Sequence, residues 1–310
     1  MMRIFDAHCD VLYKMFKNPS IKFQNSASLQ VNGEQLTAAN VKIQGFAIYV
    51  SPNIHPNLLF DAALHMVELF YEKIIKPNPF IKLITRTEHI DMLDDDQVGA
   101  ILTLEGCDAI GRDLLKLKTL LRLGVSSVGL TWNNANSVAD GALEERGGGL
   151  TQFGKEVIRL LNETNTWCDI SHLSEKGFWD VIEWGNHPFA SHSNCYSLCP
   201  HPRNLKNDQI KAIIERDSVM GVTFVPQFLS GQNEASIIDV LRHVEHICEL
   251  GGENHIGFGS DFDGTEHIVS GLTSIGDYFL LINELQKYYS EIQVSKFLYE
   301  NMKKRYPRRI

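Results

Sequence analysis

Phe5-Asp6-Ala7-His8-Cys9-Asp10, six residues placed almost at the start of the chain, reads as the end of a first β-strand. Side chains alternate along a strand, so His8 and Asp10 fall on one face and Cys9 on the other. An imidazole and a carboxylate two residues apart, where a strand ends, are a ready pair of metal ligands. On these residues alone a histidine packed against an aspartate reads equally well. The choice is decided further along, at Glu105, His172, His192 and Asp261, each of which follows another strand-like run.

Seven such runs follow the first, at residues 41–50, 98–104, 126–132, 166–170, 188–190, 218–225 and 255–259. Helix-like segments alternate with them, at about 57–75, 114–123, 151–162, 207–215 and 235–250. Thr151 is placed to cap its helix, Ser174 opens another, and Gly251-Gly252 makes a stop. Residues 133–149 are polar and glycine-rich, hence a long loop, Asp94-Asp95-Asp96 reads as a turn before the third strand, and residues 274–302 read as two helices. Alternation of this kind gives parallel strands joined by right-handed crossovers. Eight units in a chain of 310 residues favour an α/β fold of the closed (β/α)8, TIM-like kind over an open doubly wound sheet. The expectation is a single domain over 1–310, with helices at about 274–303 packed on the barrel. His8, Asp10, Glu105, His172, His192 and Asp261 then all lie at the C-terminal ends of strands, the face on which barrel enzymes assemble their sites.

Composition narrows the function. A hydrophobic share of 44% with 22% charged residues is ordinary for a globular protein. The net charge of −9 argues against a nucleic-acid binder, whose affinity rests on neutralising phosphates. The basic stretch from Lys303 to Arg309 reads as a solvated helix end. No apolar run approaches the ~18 residues that cross a bilayer, and no signal region precedes the first strand, so no membrane anchor is expected. The six cysteines include no C-x-x-C pair, and Cys195 and Cys199 lack the second pair of a structural zinc site. Free thiols in a reducing cytoplasm are the expectation. Gly147-Gly148-Gly149 fits no phosphate-binding spacing, and no nucleophile-elbow serine is present.

The chemistry follows from the donor set. Three histidines and two carboxylates are too many ligands for one four-coordinate zinc that keeps a position open. They suit two divalent ions sharing a carboxylate, of which zinc is the first choice. Such ions lie roughly 3.5–4 Å apart and lower the pKa of a bridging water toward about 7. A carboxylate beside them can carry the proton from the attacking water to an amine leaving group. Asp261 is the natural candidate. Metal-assisted hydrolysis is the reading.

The motifs also carry a family resemblance over essentially the whole chain. Asp6-Ala7-His8-Cys9-Asp10 resembles the D-x-H-x-D opening of the renal (membrane) dipeptidases, peptidase family M19, and Leu104-Glu105-Gly106 their L-E-G segment. Asp169-Ile170-Ser171-His172 is similar to D-[LI]-[SA]-H, and Ser191-His192-Ser193-Asn194 with Arg203-Asn204 to S-H-S…R-N. Gly257 to Gly264 resembles G-F-G-x-D-F-D-G. The resemblance implies an amidohydrolase-like barrel that hydrolyses small dipeptides. It implies that His8 and Asp10 hold one zinc, that His172 and His192 hold the other, and that Glu105 bridges them. Asp261 would relay the proton and Arg203 would bind the substrate's terminal carboxylate through paired donors.

Departures from the family pattern fall around the substrate. Trp132 stands where well-known members have a substrate-contacting histidine, and is either an aromatic pocket wall or a core tryptophan at a strand end. Phe228 falls about where members have a tyrosine, and Cys107 replaces a small residue. Asp263 could share a face with Asp261, although the loop is expected to break that alternation. The remaining histidines read as structural. His243 and His246 share a helix face, but Arg242 and Glu245 make that helix a solvated one. Two other functions stay open: an amidohydrolase acting on N-acyl amino acids or lactones, and a catalytically silent barrel used for binding. Many barrels pair through outer helices, and the C-terminal one is the candidate for a homodimer.

Overall fold

The computed structural model describes residues 2–308. Its strands are β1 (Ile4–Asp6), β2 (Val41–Tyr49), β3 (Ile81–Leu83), β4 (Val98–Glu105), β5 (Val125–Gly129), β6 (Trp167–Asp169), β7 (Pro188–Phe189), β8 (Met220–Val222) and β9 (Ile256–Phe258). All pairings between them are parallel, in the order β7-β6-β5-β4-β2-β1-β9-β8. A parallel bridge from Ala190, just past β7, to Met220 of β8 brings the two ends of that order together. The result is a near-closed α/β barrel. β4 is buried at all eight of its positions, because helices cover the outside and packed side chains fill the inside.

One short strand lies outside the alternation read from the sequence. β3 pairs with the first residues of β4, Ile81 opposite Val98 and Leu83 opposite Ala100, on the side β5 takes further up. Three residues with one exposed position are too few for a period to show. Apart from β4, the other strands are shorter than their apolar runs. β1 ends at Asp6, and its line is continued only by an isolated bridge from Cys9 to Phe262.

The helix Gln152–Glu163 shows how the outer layer forms. Thr151 accepts from the Gly154 amide at 2.9 Å, satisfying one of the unpaired donors of the first turn. Phe153, Val157, Ile158 and Leu161 recur at helical spacing and are buried. Each contributes roughly 1.5–3 kcal/mol through burial, so Val157→Asp would detach the helix. Inside the barrel, the N-terminal end is filled by rings. Trp167 stacks on Phe189 at 4.0 Å and meets Tyr306 edge-on at 5.0 Å. Tyr306 and Met302 come from the C-terminal segment, whose last helix is Asn301–Arg305.

Two expectations about charged segments change. The basic end is partly paired rather than simply solvated: Lys303 reaches Asp91 at 2.9 Å, and Arg305 pairs with Asp217 at 2.5 Å. Arg309 lies outside the described residues. The helix Ile237–Glu249 is not solvated at His243, which is 1% exposed. His246 turns instead to Asn207, so the two rings do not converge on a common ligand. All six cysteines are free. Among the described residues, no helix is long and apolar enough to cross a membrane.

Candidate metal centre

Two buried aspartates hold the loops that carry the site. Asp6, at the end of β1, accepts from the amides of His8 and Ser260, both at 3.1 Å, and from the Tyr278 hydroxyl at 2.8 Å. It thereby ties the loop of His8 to the loop of Asp261. Asp169, at the end of β6, accepts from the amides of Ser171 at 3.0 Å and Ser191 at 2.9 Å, and from the Ser191 hydroxyl. It ties the loop of His172 to that of His192. The sequence reading gave neither aspartate a role. Each stands inside a quoted motif, but its partners are amides from distant loops.

Those loops bring the candidate ligands together. The rings of His8 and His192 lie 3.9 Å apart between centroids. Glu105 stands between the histidines, with Oε2 3.6 Å from His8 Nε2 and Oε1 3.0 Å from His172 Nε2 and 3.8 Å from His192 Nε2. Asp10 Oδ2 is 3.5 Å from His8 Nε2, and Asp261 Oδ1 is 3.9 Å from the same atom. His8, Glu105 and His192 form one ligand-competent group and His8, Asp10 and Asp261 a second. The two share His8, and His172, whose Nε2 is 2.8 Å from that of His192, lies beside them without belonging to either; groups paired in this way fit a dinuclear divalent-metal site.

The hydrogen bonds around the histidines test whether cations fit. His172 Nδ1 is 2.8 Å from Asn133 Oδ1, and His192 Nδ1 is 2.6 Å from Ser191 Oγ, whose own hydroxyl donates to Asp169. Both rings therefore carry their proton on Nδ1, an assignment that follows from these partners. Their Nε2 lone pairs face each other at 2.8 Å, a contact that calls for an electrophile. His8 Nε2 and Asp10 Oδ1 are buried with no hydrogen-bond partner. Imidazole nitrogens combined with carboxylate oxygens are a donor set that zinc accepts.

The electrostatics agree at two of the three histidines; at His8, burial is outweighed by Glu105 and Asp10, which hold the ring well above its ordinary value, so a cation bound there would displace a proton. Burial, reinforced by Arg203, pulls His172 down to about 3. Burial, His8 and Arg203 hold His192 well below its ordinary value. Both stay neutral, as metal-binding imidazoles must. Burial would push Glu105 up, but His8 and His172 outweigh it and hold the carboxyl well below the usual range. Burial and then Asp10 push Asp261 well above it.

Backbone strain is concentrated here. His172, Asp261 and Asp263 have φ of +68°, +63° and +69°, and His172 is the one positive-φ position among the described residues that is neither glycine, asparagine nor aspartate. Gly264 is required for a different reason: a Cβ there would come within 2.2 Å of Asp10 Oδ2 and 2.4 Å of Asp261 Oδ1. Asp263 faces away. Its carboxylate takes Lys14 Nζ at 2.8 Å and the amides of Gln30 and Val31, so the loop does break the alternation with Asp261.

A cleft of about 530 Å³ opens over the cluster, lined by Asp10, Glu105, His172 and Asp261 and walled in part by Trp132 and Phe228. Trp132 is thus a pocket wall and not a core residue. Arg203 is 3% exposed and donates from Nη2 to the His192 carbonyl at 3.1 Å. It lines a smaller cavity of about 260 Å³ that adjoins the cleft at His172. His201, read as structural from the sequence, also lines the main cleft.

Comparison with known proteins places this geometry. The sequence profile of the membrane dipeptidases (peptidase family M19) matches residues 1–306. An uncharacterized protein in the pqqA 5' region of Klebsiella pneumoniae is 32% identical over 237 residues, 71% of this chain and 86% of its own length. A solved dipeptidase of family M19 is 27% identical with a TM-score of 0.92, covering 98% of both chains. A metallopeptidase from Rhodobacter sphaeroides, liganded with a phosphinate mimic of the dipeptide L-Ala-D-Ala, is 26% identical with a TM-score of 0.92, covering 98% of this chain and 99% of that one. With its barrel, its paired ligand groups and a family match running through nearly its whole length, the chain belongs to the membrane dipeptidase family, peptidase family M19.

Proposed function

We propose that this protein is a dinuclear zinc dipeptidase, cleaving the peptide bond of small dipeptides. The observation that carries the reading is the pair of ligand groups sharing His8, with Glu105 turning one oxygen to each side. His8 and Asp10 would hold one ion, His172 and His192 the other, and Glu105 would serve both. Bound divalent ions supply Lewis acidity and make hydroxide available at neutral pH for attack on a carbonyl.

The chain's own residues do the rest. Asp261 takes the proton released in the attack on a carboxyl oxygen and hands it to the departing amine. Its Oδ1 lies 3.9 Å from His8 Nε2 and the residue lines the cleft, so one carboxylate can reach both the attacking water and the departing amine. Arg203 offers its guanidinium to the substrate's α-carboxylate. Its buried Nε has no partner within the protein, which supports that role. The ligand held by the R. sphaeroides relative adds dipeptides with a D second residue to the substrates to be tried.

The test is a panel of L,L- and L,D-dipeptides set against N-acyl amino acids and lactones, with wild type and Asp261→Asn at matched metal content. We expect dipeptide cleavage, unchanged metal binding in the variant, and a turnover loss on the order of 10²–10⁴-fold. Cleavage of acyl amino acids alone would move the assignment to a sister amidohydrolase. Fewer than one bound metal per chain after zinc loading would favour a binding barrel. The reading extends to a cytoplasmic location, supported by six free cysteines. It also includes a homodimer through the C-terminal helices, supported by exposed Phe279, Tyr288 and Ile292, and light scattering would decide the latter.

A further inference from the structure

The two sides of the main cleft differ in construction. On one, Tyr13 meets Tyr49 edge-on at 5.0 Å between centroids, and Tyr49 meets Trp132 at 5.2 Å. All three rings line the cleft, and Trp132 lies 6.2 Å from His172. On the other side His201 packs on Phe228 at 4.5 Å, with the Arg203 guanidinium 5.5 Å over the Phe228 ring. The strand order sets these sides apart. Tyr49 ends β2 and Trp132 follows β5, whereas His201, Arg203 and Phe228 follow β7 and β8 across the barrel mouth.

A dipeptide has a direction. If its carboxylate lies on the Arg203 side, its amino-terminal residue crosses the metal cluster toward the three-ring wall. The rings come from three separate elements and brace one another, so little freedom is lost when a ligand covers them. A charged side chain placed there would lose water without gaining a partner. An acidic one would also face Asp10 and Glu105 across the same cleft.

We propose that the Tyr13–Tyr49–Trp132 wall recognises the side chain of the substrate's amino-terminal residue and selects aromatic and large apolar side chains over small or charged ones. This rests on the dipeptidase reading above and assigns Trp132 as its specificity-determining residue. The experiment measures kcat/KM on the zinc-loaded enzyme for Phe-, Leu-, Ala- and Asp-Xaa dipeptides, with Xaa fixed as L-Ala and then D-Ala. Wild type should favour Phe over Ala at the first position by about 10-fold or more. Trp132→Ala should bring that ratio close to one, mainly through KM, and Trp132→Phe should keep most of it. Should Trp132→Ala fail to fold, the wild-type ratio and the phenylalanine variant decide. Dipeptides cleaved with no preference for large first residues would overturn the wall assignment and leave the dipeptidase reading standing. No cleavage of any dipeptide would overturn that reading, and this assignment with it.

Discussion

His172 and His192 each give their Nδ1 proton to a neighbour, one to Asn133 and the other to Ser191. Such partners fix which nitrogen is bare and where its lone pair points, and losing one typically costs 10–100-fold in metal affinity. Asn133→Ala should therefore weaken zinc binding by about that factor, read by competition with a chromophoric chelator, with the far-ultraviolet circular dichroism unchanged. Ser191→Ala should do the same, and more if loss of its link to Asp169 lets the ring swing. Unchanged affinity in both variants would mean that packing alone orients the rings. The two supports differ in how readable they are. Ser191 adjoins His192 in a motif visible in the chain, whereas Asn133 lies 39 residues from His172, in a polar loop where no spacing marks it. The candidate ligands could be picked out in the sequence because each sits where an apolar run stops. Asp6 and Asp169 escaped because a carboxylate that gathers amides from separate loops leaves no pattern along the sequence.

The helix Ile237–Glu249 buries His243 between two backbone partners: Nδ1 accepts from the Cys195 amide at 3.0 Å and Nε2 donates to the Leu229 carbonyl at 3.1 Å. Burial lowers the ring to about 4, and a proton on Nδ1 would besides meet the Cys195 N–H. The unfolded chain, with an ordinary histidine near 6.5, takes up the proton first as pH falls. Stability is thus full above about pH 6.5 and is lost from there down to about pH 4, amounting to about 2 kcal/mol by pH 5. His243→Gln should be less stable at pH 7, because a buried donor loses its partner, yet decline less steeply than wild type between pH 7 and 5. Urea titrations at several pH values measure both slopes, and parallel slopes would refute the assignment. Arg242 and Glu245 obscured this residue. The informative neighbours are Val240 and Ile247, three before and four after it, which place it on the buried face. The eight alternations showed because parallel strands covered on both sides are continuous apolar runs. β3 did not, because its three residues are ordered by pairing with β4 and not by their own pattern.

At the scale of the whole barrel, the candidate site residues come from the last residue of β4 and from the loops that follow β1, β6, β7 and β9. The N-terminal end of the cylinder is closed by stacked rings and the C-terminal segment, so it holds without help. The other end gathers Asp10, Glu105 and Asp261 within a few ångströms of His8, all of them largely buried. Without cations, carboxylates so placed repel one another. Asp10 and Asp261 are raised by burial and by nearby carboxylates, as this requires. Bound ions should therefore hold the mouth together as well as serve chemistry. At a thousandfold excess over Kd, a ligand bound only by the folded state adds about 4 kcal/mol. For a chain of this size that is a rise in Tm on the order of 5–10 °C. Exhaustive chelation should lower Tm by that amount and zinc should restore it. Asp10→Asn should shrink the increment. Asp263→Asn supplies the control: it loosens the carboxylate's hold on Lys14, Gln30 and Val31 but does not face the cluster. That variant should have a lower Tm with and without zinc, and the same increment between the two states. If chelation leaves Tm unmoved while metal analysis shows the ions gone, the mouth is held by its backbone ties to Asp6 and Asp169 alone.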